Sequence, residues 1–158
     1  MTASYQLRDA RPADGNAIRM IVESVLHEYR LSADPADTDA DLQNVTDSYQ
    51  KRGGVFRVLI DETGAIVGCG GLYPLADGEV EIRKMYFLPS ARGKGYGRRL
   101  LDELLSEATK RGYRRVVLET ASHLKEAIAL YRSAGFTPYA REHLACRCDQ
   151  AMALDLTK

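Results

Sequence analysis

Residues 92–97, Arg-Gly-Lys-Gly-Tyr-Gly, constrain the chain most, because they put three glycines between an apolar strand pattern at 79–88 and a helical run. In that run Leu100, Leu101, Leu104, Leu105 and Ala108 recur on one helical face. Strand, glycine turn and helix together expose a helix N-terminus beside backbone that carries no Cβ. The first N–H groups of a helix have no internal partner and the macrodipole adds partial positive charge there, so the turn suits phosphate oxygens. Arg92, Lys94, Arg98 and Arg99 carry the same sign. Two familiar phosphate loops do not fit. A P-loop needs Ser or Thr after Gly-Lys, and Gly95 follows Gly93-Lys94; a dinucleotide fingerprint needs a third glycine where Leu100 stands.

Around this turn the chain reads as alternating elements. Tyr5 to Ala10 is a weak strand stopped by Pro12, and Asp14 is placed to cap a helix. Ile18, Ile21, Val22, Val25, Leu26 and Tyr29 then form one apolar stripe. Residues 31–50 hold Asp34, Asp37, Asp39, Asp41 and Asp47 without Lys or Arg, with a weaker helix expected from about Ala40 to Gln50. Val55–Ile60 and Ala65–Leu72 flank Asp-Glu-Thr-Gly as a hairpin whose second strand is thinned by Gly68, Gly70 and Gly71. In the strand at 79–88 the two-residue period slips. Val80 and Ile82 share one parity while Met85 and Phe87 hold the other, so either both faces are covered or a bulge lies near Arg83 to Met85.

Gly112 stops the helix after the glycine turn, and Val116, Val117 and Leu118 centre the next strand, which makes the two strands a parallel pair. Ser122 is placed to cap a further helix bearing Leu124, Ala127, Ile128, Tyr131 and Ala134, ended by Gly135. Phe136–His143 and Ala145–Leu156 are expected as two final strands.

At 158 residues, one domain spanning 1–158 is expected. Formal charge is zero, which removes the basic field expected of a nucleic-acid binder. No apolar run approaches the ~18–20 residues of a membrane span, and the first residues lack an apolar leader segment, so a cytoplasmic protein is expected. Cys69, Cys146 and Cys148 offer one Cys-x-Cys with no second cluster, so idle thiols and no metal are expected. Edge strands near either end leave a homodimer open.

Arg92-x-x-Gly95-x-Gly97, preceded by Arg83-Lys84-Met85-Tyr86-Phe87-Leu88-Pro89 and followed downstream by Ala129-Leu130-Tyr131-x-x-x-Gly135-Phe136, resembles the Gcn5-related N-acetyltransferase (GNAT) family. The resemblance covers residues 79–136 closely. It implies an α/β, mixed α+β fold: a splayed mixed β-sheet with helices on both faces and acetyl-CoA lying in the V between the strands at 79–88 and 114–120. It further implies that main-chain groups of Met85, Tyr86 and Phe87 meet the thioester and pantetheine arm. Arg92, Gly93, Lys94, Gly95, Tyr96, Gly97 and Arg98 would cradle the pyrophosphate. Many members carry an Asn where this chain has Leu124, so no cofactor residue is assigned to that helix.

Acetyl transfer to an amine needs a neutral amine and a proton for the departing thiolate. By the resemblance Tyr131 is the proton donor, and a phenol with reference pKa ~10 is protonated at neutral pH. The alternative is a core tyrosine with a satisfied hydroxyl. Two carboxylates are candidate bases: Glu81, at the position used by lysine acetyltransferases of the family, and Glu119, at that of a ribosomal-protein N-terminal group. Glu81 is favoured; its alternative is an ion pair with Arg83, which shares its strand parity, and water alone is a third route. Residues 26–50 would border the acceptor, where the aspartates either attract a cationic amine or merely cap and solvate. Arg141, Arg147 and Asp149 are placed to meet a carboxylate-bearing acceptor. The expected activity is transfer from acetyl-CoA to a primary amine of a small molecule or amino-acid-like compound. A protein or peptide acceptor, and a non-catalytic acyl-CoA-binding module, are the alternatives.

Overall fold

The structure, a computed structural model, describes residues 4–141, 143–145 and 147–157. Strands β1 (Gln6–Asp9), β2 (Val55–Ile60), β3 (Ile66–Pro74), β4 (Glu79–Phe87), β5 (Arg115–Thr120), β6 (Thr137–Pro138) and β7 (Gln150–Asp155) form one sheet, ordered β1-β2-β3-β4-β5-β7-β6. Among the described residues only β4 and β5 run parallel, and α3 (Tyr96–Lys110) makes their crossover. The remaining helices are α1 (Gly15–Glu28), α2 (Val45–Ser48) and α4 (Lys125–Ser133).

Both faces of the sheet are covered. The stripe of α1, with Ile18, Val22 and Leu26, packs on Phe56, Val58 and Cys69. On the other face Leu100, Leu101, Leu104 and Ala108 of α3 close over Val80, Ile82, Val116 and Leu118. Strands buried on two faces need apolar residues at both parities, which is why β5 reads as a continuous Val-Val-Leu. No helix among the described residues is long and apolar enough to cross a membrane.

The slipped period of β4 is a bulge. Arg83 pairs with Gly71 and Tyr86 with Cys69, so Lys84 and Met85 together oppose the single residue Gly70. Lys84 takes φ 57°, and its ammonium reaches the Thr38 carbonyl, Asp39 and Asp41. The glycines opposite the bulge are there for space. A Cβ on Gly71 would stand 2.6 Å from the Phe56 ring and 2.9 Å from both the Tyr49 ring and the Val55 carbonyl oxygen. Gly71→Ala should therefore cost about 1–3 kcal/mol through overpacking, read as a lower urea midpoint at unchanged slope. A stability equal to the parent would mean that the rings move freely.

Three expectations are corrected. The stretch 40–50 is not one helix: α2 is four residues long between 3₁₀ turns at Ala40–Leu42 and Gln50–Arg52. Asn44 caps it by accepting from the Asp47 N–H, and Asp39 and Asp41 turn inward onto cations, so side chains here compete with a continuous helix. The final pair of strands is also shorter. β6 covers only Thr137–Pro138, with the Tyr139 N–H adding one bond to the Ala151 carbonyl, and β7 begins at Gln150. Lastly, Ser122 does not cap α4; its hydroxyl and N–H both donate to Asp149. Cys69 is buried and Cys148 half-buried, both free thiols, while Cys146 lies outside the described residues.

Candidate active site

Parallel pairing of β4 with β5 runs from Glu79↔Arg115 to Ile82↔Leu118 and stops. Beyond it β4 follows β3 as far as Phe87, and β5 follows β7 to Thr120. The bulge adds twist at the point of divergence, so the strands splay, and β4 residues 83–87 present a backbone edge with no strand beside it. The opening is a cleft of about 880 Å³ that reaches from the glycine turn, past Tyr131, to Glu81, Glu119 and Arg141.

At one end stands the start of α3. Its first helical bond runs from the Arg99 N–H to the Gly95 carbonyl, and no described backbone carbonyl accepts from residues 93–98. Gly93 and Gly95 have φ 72° and 86°, and a Cβ at either would meet nothing within 4 Å. The turn is thus an open row of N–H donors at a helix N-terminus, which is what an anionic phosphate group needs. The basic and aromatic side chains around the turn have partners within the protein. Arg92 pairs with Glu28 at 2.9 and 2.6 Å and donates from Nε to the Phe87 carbonyl at 2.9 Å. Its guanidinium holds the Glu28 carboxyl below the usual range. Arg98 binds Asp102 and Ser133, the Lys94 ammonium lies over the Tyr5 ring, and Tyr96 stacks on Tyr5.

Midway, Tyr131 projects from the inner face of α4. It is buried, its ring packs edge-on against Phe136, and its hydroxyl has no hydrogen-bond partner among the described residues. Burial pushes its phenol well above the usual value, with Tyr86 and Cys148 nearby adding to the effect. Tyr86 is likewise pushed up to about 12 by burial, against the opposing pull of Arg147. Met85 and Phe87 sit partly buried on the same stretch of β4.

At the far end both candidate carboxylates meet one cation. Glu81 accepts from Arg83 Nε at 2.5 Å and from Arg141 Nη1 at 2.6 Å. Arg141 Nη1 also reaches Glu119 at 2.6 Å, and the other Glu119 oxygen accepts from the Ala145 N–H at 2.8 Å. The pair weighed as alternatives from sequence is therefore one connected group, and the ion pair of Glu81 with Arg83 is part of it. Deeper, Asp39 takes two bonds from Arg147 at 2.9 and 2.7 Å and one from the Asp34 N–H at 2.7 Å. Lys84 lies 3.3 Å from Asp39 and 3.2 Å from Asp41, and the Tyr49 hydroxyl donates to Asp41. Sequence reasoning passed over Asp39, Asp41 and Lys84 as partners. The one signal was the slipped period near Arg83 to Met85, for which a bulge was one of two readings.

The acetyltransferase (GNAT) family profile matches residues 20–136. Among curated proteins, the uncharacterized N-acetyltransferase YjgM of Escherichia coli K12 is 41% identical over 128 residues, covering 78% of this chain and 76% of that protein. A GNAT-family acetyltransferase of Staphylococcus aureus superposes with a TM-score of 0.91 at 20% identity over 98% of this chain and all of its own, a likeness of fold. The acetyltransferase yncA of Salmonella typhimurium, solved with its cofactor acetyl-CoA, is 30% identical at a TM-score of 0.76, over 98% of this chain and 95% of that one. Sequence and structural likeness thus agree along nearly the same stretch, and the chain belongs to the acetyltransferase (GNAT) family.

Proposed function

We propose that this N-acetyltransferase moves the acetyl group of acetyl-CoA to the primary amine of a small molecule. The observation that carries the reading is the V between β4 and β5, with unpaired N–H donors of residues 93–98 at one end, the unpartnered Tyr131 hydroxyl between, and Glu81 and Glu119 at the other. The residues present fit acetyl-CoA. The glycine turn would hold its pyrophosphate through backbone N–H groups, and the free edge at Met85, Tyr86 and Phe87 would line up the pantetheine arm. Bound there, acetyl-CoA supplies a thioester that an amine attacks, with the C–N bond forming as the C–S bond breaks.

Tyr131 donates its hydroxyl proton to the departing sulfur, a role supported by a phenol that burial keeps protonated. Glu81, directly or through water, takes the proton that the amine gives up; a free alkylamine, with pKa ~10.4, is mostly charged at pH 7. Glu119 shares Arg141 with it and is the second candidate. Arg141, Ala145, Arg147 and Cys148 line the acceptor end, and Arg141 and Arg147 are held there by Glu81 and Asp39, which favours a compact acceptor over an extended peptide.

The test is thiol release from acetyl-CoA over a panel of small amines, with the acetylated product identified by mass spectrometry. Turnover on at least one class of amine is expected, and Glu81→Gln should lower kcat on it about 100-fold, more than Glu119→Gln does. Acetylation of peptides alone would overturn the choice of acceptor, and equal rates for parent and Glu81→Gln would remove Glu81 as the base.

A further inference from the structure

The acceptor end of the cleft is lined by charges in alternating order: Arg83, Glu81, Arg141, Glu119. The row is neutral, so it exerts no net field on a plain cation. Alternating charge is instead complementary to a molecule that carries both signs within a few bonds. The cations differ in how far their donors are used. Lys84 is buried and Arg147 largely so, and their charge is spent on Asp39 and Asp41. Arg83 engages an acceptor only through Nε, and its guanidinium carbon lies over the Tyr73 ring, 3.8 Å from the centroid. Stacking of that kind covers the face and leaves the edge N–H groups free. Arg141 engages only Nη1.

Neither arginine has a buried N–H without an acceptor among the described residues, so the unused donors open toward solvent. Both side chains line the cleft and both are partly exposed, 30% for Arg83 and 23% for Arg141. A planar guanidinium edge takes a carboxylate through two parallel N–H···O bonds. A carboxylate set there would leave a neighbouring amine beside Glu81 and Glu119, where its proton has an acceptor.

We propose that Arg83 and Arg141 bind a carboxylate of the acceptor, so that the substrate is an amino acid or another small amine with a carboxylate close to its amino group. This rests on the acetyltransferase reading above and narrows its acceptor. Arg83 and Arg141 then determine specificity, whereas Glu81 and Tyr131 serve the chemistry.

The experiment compares matched acceptors: each standard amino acid against its own amide and its decarboxylated amine, with acetyl-CoA as donor. The amide keeps size and shape while its amine loses a proton more readily, so intrinsic reactivity favours the amide. For the preferred side chain the acid should nevertheless exceed both partners in kcat/KM by about 10- to 100-fold, as expected for charge-assisted hydrogen bonds. Arg83→Gln should raise KM for the acid more than it lowers kcat and should shrink the acid-to-amide ratio, while Arg83→Lys restores part of it. The ratio is taken within each protein, so a loss of folded fraction does not distort it.

Amides and amines that react as well as the acids, or an unchanged ratio in Arg83→Gln, would overturn the proposal while leaving the acetyltransferase reading intact. Calorimetry with CoA-loaded protein separates the converse case. Acids that bind, lose affinity in Arg83→Gln and are not acetylated would support the carboxylate site and sink the small-amine activity. Neither binding nor turnover of any acid would overturn the carboxylate site, and a failure of the amides and amines to react as well would overturn the small-amine activity with it.

Discussion

A Tyr131→Phe variant should lose about 100- to 10,000-fold in kcat while its unfolding midpoint and its affinity for coenzyme A stay close to those of the parent. Only the hydroxyl is removed. The ring still packs edge-on against Phe136, and no described residue relies on the hydroxyl for a hydrogen bond. The deleted atom therefore affects nothing but what it meets in the cleft. Burial raises the phenol above its ordinary value, so the group stays protonated through the neutral range and is at hand to donate a hydrogen bond to the sulfur, with proton transfer coupled to C–S cleavage. The sign has a second consequence. A raised pKa keeps the acid form present through the neutral and mildly alkaline range, so the parent rate should show no alkaline fall caused by Tyr131 below about pH 10. A variant with parental kcat would make Tyr131 a core residue and move the proton to water.

The parts legible in the sequence were those written in local period and punctuation. The stripe on α1, the leucines of α3 and the Val-Val-Leu of β5 each follow from burial on one or two faces, and the structure puts them there. Even the bulge was readable, because one extra residue in a strand must shift the parity of everything after it. What local pattern could not carry was partnership at long range. Glu81 and Arg141 are separated by 60 residues, and Asp39 and Arg147 by 108; no spacing rule connects them. The acidic stretch at 34–47 had two readings from sequence, an attractive field or solvated caps. Asp39 instead lies buried against Arg147 and Lys84, and the largely covered Asp41 side chain faces Lys84, so their charge is balanced inside the protein. The side chains of Arg92 and Arg98, assigned by the resemblance to the pyrophosphate cradle, have partners of their own in Glu28 and Asp102, beside the open backbone donors of the turn.

The largest effect on stability is expected at Asp39. Asp39→Asn keeps the size of the side chain but removes the charge that faces Arg147 and Lys84, both largely buried. Breaking one side of a buried ion pair leaves the other uncompensated, and the cost should be about 3–5 kcal/mol, read from urea unfolding. The effect should depend on pH in a defined direction. Burial alone would raise the Asp39 carboxyl, but the bonds from Arg147 and the Asp34 N–H, with the charge of Lys84, bring it below the usual carboxylate value. A carboxyl depressed in the folded state adds stability above its unfolded pKa and loses it as pH falls through the folded one. The difference between parent and variant should thus be level from about pH 5 to pH 8 and shrink below about pH 4. A difference that ignores pH, or one under about 1 kcal/mol, would reduce the pair to the status of a surface contact. Adding Arg147→Met to Asp39→Asn should recover part of the loss, because the cation left without a counter-charge is then gone as well. Such recovery separates a penalty for stranded charge from a simple loss of packing, which a second truncation would only deepen.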